Sequence, residues 1–105
     1  MGNWYNVYPE ETPIDKMSDA YVNHLIGLIA RGGEWSAENV LGSIDDLYRV
    51  AEERNMIKGL VAWALKKYTV RLWKRIAKAG GKKYVWKTPK WVDWMLNRYV
   101  LRKDY

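Results

Sequence analysis

The chain has 105 residues, 49% hydrophobic and 29% charged, with a formal net charge of +6 and Cys 0; such a balance argues against disorder along the whole length, and one compact core is what this size permits. Without cysteine there is no disulfide, thiolate metal site or cysteine nucleophile. No basic leader followed by an apolar run, and no stretch of ~20 apolar residues, occurs, so the expectation is a chain neither secreted nor membrane-spanning, in the cytoplasm.

Residues 1–17 hold Pro9, Pro13 and the rings of Trp4, Tyr5 and Tyr8 without any helical or alternating period. An irregular arm is expected there, either laying its rings on the domain or reaching a partner. The opening Met1-Gly2-Asn3-Trp4-Tyr5-Asn6 resembles a myristoylation signal but has Asn6 where Ser or Thr is needed, so lipidation is not expected.

Ser18 is a capping residue, Asp19 suits the positive end of a helix, and Val22, Leu25, Ile26 and Ile29 recur at helical spacing. The first helix then closes at Arg31 and Gly32-Gly33. A second helix opens after Ser36, with Glu38 in its first turn and an apolar period of Val40, Leu41, Ile44, Leu47, Tyr48 and Ala51. Gly42-Ser43 is a candidate break in it, and Asn55 a candidate left-handed terminator. Residues 56–79 read as one long amphipathic helix whose buried stripe is Ile57, Leu60, Val61, Ala64, Leu65, Tyr68, Leu72 and Ile76. Gly80-Gly81 stops it, and a basic, aromatic connector follows, either a short strand or a surface crossing. Thr88 as cap and Pro89 at the first helical position mark a last helix, with Trp91, Val92, Met95, Leu96 and Tyr99 on its buried side. No internal repeat or low-complexity tract is present.

Charge is divided unevenly along this order. Residues 1–54 carry ten acidic and four basic side chains, a net −6, whereas residues 55–105 carry fourteen basic and two acidic, a net +12. Net charge governs encounter with partners more than it governs fold, so the basic half points to a polyanion or an acidic protein. On the long helix Lys67, Arg71, Lys74 and Lys78 are spaced 4, 3 and 4 apart, which confines them to a narrow arc, and Arg75 flanks the row. Lys82, Lys83, Tyr84, Trp86, Lys87 and Lys90 continue the basic and aromatic pattern. Nucleic-acid binding uses Lys and Arg on phosphates and flat rings on unpaired bases, and this segment supplies both. The row is suited to lie along a duplex backbone and Tyr84 and Trp86 to stack. The competing structural reading is a solvated basic face that docks on the chain's own acidic half. A sequence-reading helix-turn-helix is disfavoured because the join near Asn55 looks short.

Phe is absent while Trp reaches 7 and Tyr 8. Each such ring has a hydrogen-bonding atom, which suits positions with one apolar and one wet side; filling a small core is the plain alternative. Rings left exposed would favour a homodimer. The single histidine, His24, cannot build a His-rich metal site, and a catalytic triad would need an acid and a hydroxyl brought to it by the fold. Asp45-Asp46 and Glu52-Glu53 bracket Arg49 at helical pairing distance, so surface ion pairs explain them better than acid-base chemistry. Gly80-Gly81-Lys82-Lys83 follows a helix and lacks the spacing of a phosphate loop. Basic amphipathic helices with Trp can lie on anionic lipid, but here the apolar stripe is needed for the core.

The segment Pro13-Ile14-Asp15-Lys16-Met17-Ser18-Asp19-Ala20-Tyr21-Val22-Asn23-His24-Leu25-Ile26, with the later Leu47-Tyr48-Arg49-Val50-Ala51-Glu52-Glu53-Arg54-Asn55-Met56, resembles small uncharacterised proteins encoded by bacteriophages and prophages. Their pattern is a Met-Ser/Thr-Asp start, a helix rich in Leu and Ile, and a shorter helix ending near Glu-x-x-Arg-Gly-Leu. The chain departs from it with Asn55 in place of Gly and with Tyr21-Val22-Asn23-His24 where a His-Leu pair comes earlier. The resemblance covers the first half and implies a phage origin and a host cytoplasm; it brings no active-site residues.

The expected fold is all-α: a small single-domain bundle of about four helices, with an arm (1–17), an acidic helical half (18–55) and a basic, Trp-rich helical half (56–105). The expected role is non-enzymatic, without cofactor or metal, the basic aromatic half engaging DNA or RNA. The alternative is a phage protein that inhibits or redirects a host protein, in defence, transcription or replication.

Overall fold

The computed structural model describes residues 13–32, 36–79 and 87–100. Four α-helices, α1 (Asp19–Ala30), α2 (Ala37–Glu53), α3 (Gly59–Lys78) and α4 (Lys90–Met95), account for most of them, and α4 runs on into a π-helical turn, Leu96–Val100. The protein is an all-α bundle, with no strand among the described residues.

The first helix starts as its sequence specifies. The Ser18 hydroxyl accepts the Tyr21 N–H at 3.2 Å, satisfying one of the first-turn donors. Arg31 ends the helix and Gly32 follows with φ 77°, a left-handed conformation that glycine adopts without strain. Ahead of it the expected arm is not irregular throughout: Ile14–Lys16 form a 3-10 turn, with Lys16 N–H on Pro13 O and Met17 N–H on Ile14 O. Arg54, at the far end of α2, anchors this turn by donating to the carbonyls of Met17 (2.7 Å) and Asp15 (2.8 Å) and pairing with Asp19 (2.9 Å). The rings of Trp4, Tyr5 and Tyr8 lie outside the described residues.

Gly42-Ser43 does not break α2. Gly42 faces solvent, where a Cβ would meet nothing within 4 Å, and the Ser43 hydroxyl donates to Asn39 O at 2.9 Å inside the helix instead of capping a new one. Asn55 does terminate the helix, with φ 58°. Met56 N–H reaches back to Ala51 O and Asn55 N–H to Glu52 O, the paired bonds of a Schellman close. The join to α3 is therefore longer than expected, five residues from 54 to 58, so the short-join objection to a helix-turn-helix fails. Met56 and Ile57 are loop residues buried in the core, and α3 opens only at Gly59, whose φ of 67° restarts the chain.

The stripe expected on α3 is rotated. Its buried residues are Ala62, Leu65, Thr69, Leu72, Trp73 and Ile76, whereas Leu60 is 79% exposed and Val61, Ala64 and Tyr68 are half-buried. At ~100° per residue the buried face lies about 80° from the expected one. Two buried polar groups hold that orientation. Trp73 donates its indole N–H to Ile29 O at 2.7 Å, and Thr69 donates to Leu65 O at 2.7 Å while sharing a 3.2 Å hydrogen bond with the Tyr48 hydroxyl.

The last helix begins one residue late. Pro89, not Thr88, occupies the cap, its carbonyl accepting from Val92 and Asp93. Val92, Leu96 and Val100 are the buried residues; Trp91 and Tyr99, expected inside, are 44% and 40% exposed. Asn23, buried in α1, donates to Val100 O at 2.7 Å, and Arg31 pairs with Asp93 at 3.1 Å, which together moor this end of the chain to α1. One core results, built around Tyr48 of α2 and Trp73 of α3, both 0% exposed, and the radius of gyration of 13.2 Å matches about 13 Å for a compact domain of this length.

Candidate nucleic-acid interface

Helix α3 has two chemistries because its core face takes one side of the cylinder. Opposite that face project Leu60, Trp63, Lys67, Arg71, Lys74 and Lys78, with Arg75 at the edge. Between Gly59 and Lys78 there are six cationic residues and no carboxylate.

Lys67, Arg71, Lys74, Arg75 and Lys78 are all exposed and, with Trp63, Lys66 and Val70, line one open concavity of about 590 Å³. The structure thus brings five of the sequence-predicted site residues onto one surface. Lys87 and Lys90 are exposed ahead of α4 but lie outside that lining. Lys82, Lys83, Tyr84 and Trp86 fall outside the described residues.

Within this face Trp63 is 58% exposed, and the Lys67 ammonium sits 4.8 Å from its ring centroid. A contact of that kind contributes ~0.5–1 kcal/mol at an exposed site. Sequence reading passed over Trp63 and Lys66. The signal was present, since Trp63 precedes Lys67 and Arg71 at the same four-residue interval that defines the row.

Among the described residues, neutralisation by the acidic half reaches only the margin of this surface. Lys66 pairs with Asp45 of α2 at 2.9 Å. Among the described residues, the ion pairs join Arg31 to Asp93, Arg49 to Asp46 and Glu53, Arg54 to Asp19, and Lys66 to Asp45; none involves Lys67, Arg71, Lys74, Arg75 or Lys78. Arg49 takes up Asp46 and Glu53 as its spacing implies, but Asp45 turns to Lys66 instead. Arg75 and Lys78 lie in the last turn of α3, where the negative end of the helix favours cations. Lys67, Arg71 and Lys74 have no such local reason.

A second set of exposed rings lies on α4 and its π turn. Trp91 packs edge-on against Tyr68 of α3 at 5.3 Å between ring centroids, and Trp94, 54% exposed, packs edge-on against Tyr99 at 5.7 Å. The Arg98 guanidinium lies 5.8 Å from both of the latter rings.

His24 is partly buried, its ring tilted on that of Tyr21 at 5.9 Å, and burial lowers its pKa toward the neutral imidazole. Among the described residues no group of three or more His, Asp or Glu side chains is placed to hold a metal, and no helix is long and apolar enough to cross a membrane. Compared with known proteins, the chain matches no family model, and neither a curated protein nor a solved structure matches it significantly.

Proposed function

We propose that the protein is a non-enzymatic, phage-encoded nucleic-acid-binding protein and that the outward face of α3 is its phosphate-binding surface. The observation that carries this reading is the group Lys67, Arg71, Lys74, Arg75 and Lys78, gathered on one open surface without an ion pair among the described residues. Like charges crowded on one face repel, so an external polyanion is the natural complement of the arrangement. Each phosphate contact releases condensed counterions, and five contacts imply a slope of log affinity against log salt of about −3.5 to −4.5.

Anisotropy titration of a labelled oligonucleotide at two salt concentrations tests this. Binding that weakens steeply with salt and is abolished by Lys74→Glu, Arg75→Glu and Lys78→Glu together is the expected result. Unchanged affinity in that triple variant overturns it.

The exposed Trp94 and Tyr99 favour a second reading, in which the same protein docks on an acidic host protein and inhibits or redirects it. That reading takes the lead if no oligonucleotide binds at low salt.

A further inference from the structure

We infer that the α3 surface takes single-stranded rather than duplex nucleic acid, with Trp63 and Trp91 as stacking surfaces on either side of the cation row; this rests on the nucleic-acid reading above. Helical geometry places the two rings. The side chains of Trp63 and Tyr68 leave α3 about 140° apart, and Lys67, Arg71, Lys74 and Lys78 all fall between them. Tyr68 packs against the Trp91 ring at 5.3 Å, which sets the second indole past the Tyr68 edge of the row, outside the concavity that Trp63 and the cations line. Both indoles are substantially open, 58% for Trp63 and 44% for Trp91. Val70 adds an apolar patch to the same concavity as the cations.

A duplex keeps its bases stacked inside and offers this face only sugar and phosphate, for which lysines and arginines suffice. Exposed indoles beside a phosphate-binding row gain a partner when the bases are unpaired, because every base has a π face and stacking needs no particular sequence. The row from Lys67 to Lys78 spans about 16 Å of helix, long enough for several backbone phosphates in sequence. Lys67 touches both functions, since its ammonium lies over the Trp63 ring at 4.8 Å and would hold a phosphate next to a stacked base.

The test titrates the intact chain with labelled oligo(dT) of about 16 nucleotides and with a duplex of the same length at low salt. The expected result is about tenfold tighter binding of oligo(dT). Trp63→Ala should then weaken oligo(dT) at least about fivefold while leaving duplex affinity within about twofold. Trp91→Ala should act in the same direction, and because Trp91 also packs on Tyr68, Trp91→Phe serves as its control, retaining a ring and most of the affinity. Equal affinity for the two ligands, or equal loss on both in Trp63→Ala, overturns the single-strand inference; if the triple charge reversal still abolishes binding, the phosphate-binding reading stands without it. Failure of both oligonucleotides to bind overturns the two together.

Discussion

The two faces of α3 are built from the same twenty residues and obey opposite rules. On the inner face the two fully buried polar side chains are partnered: Trp73 with Ile29 O, Thr69 with Leu65 O and Tyr48. On the outer face five cations have no ion-pair partner among the described residues, and a large ring stands 58% exposed. Burial is why. An unpaired polar group inside costs ~1–3 kcal/mol, whereas a lysine in water is already solvated and can stay unpaired until a partner arrives. Helix α2 shows that exposure alone does not produce such a face, because its exposed Arg49 is tied to Asp46 and Glu53.

Ten residues apart on one helix, Trp73 and Trp63 give the sharpest way to break the comparison. Trp73→Ala leaves a cavity in the core and takes the indole donor from Ile29 O, which keeps the Gly32 N–H, for an expected loss of ~3–5 kcal/mol in urea unfolding. Trp63→Ala should cost no more than ~1 kcal/mol, the size of its contact with Lys67. Comparable losses at the two positions would mean that the outer face is part of the fold.

A smaller effect probes the polar contact on the inner face. Burial pushes the Tyr48 hydroxyl up to about 12, with the Thr69 hydrogen bond partly opposing the rise. The folded value lies above the unfolded value of about 10, so the stability it contributes is full below pH ~10 and is lost as pH rises through ~12, by roughly 2–3 kcal/mol. Tyr48→Phe should be less stable at neutral pH by about 1 kcal/mol yet lose less between pH ~9 and ~12. Urea midpoints measured across that range check it, and parallel curves for the two proteins would place the alkaline loss elsewhere.

The smallest effect belongs to the seam between the faces. Asp45→Asn removes the Lys66 partner, and a surface pair of this kind is expected to change stability by no more than ~0.5 kcal/mol. Releasing Lys66 adds a sixth cation to the outer surface, so affinity for an oligonucleotide should rise slightly. A large loss of stability instead would show that the acidic half holds α3 in place by charge.

The all-α class, the Ser18 cap, the left-handed Asn55 and the cation row on α3 were all legible in the sequence, because each depends on contacts within one helix turn. Spacing alone brings Lys67, Arg71, Lys74 and Lys78 onto one face wherever that helix packs. Which face turns inward is another matter. Treating Leu60 and Val61 as core and Trp73 as unassigned follows hydrophobicity, but the carbonyl that receives the Trp73 indole belongs to α1, 44 residues away, and the Thr69 partner belongs to α2. The same holds for Arg54, whose carbonyl partners at Asp15 and Met17 lie on a turn nearly forty residues earlier. Local sequence determined the helices and their charges, and long-range hydrogen bonds from buried polar atoms decided how α3 is rotated, which left Trp63 beside the cations and Trp73 in the core.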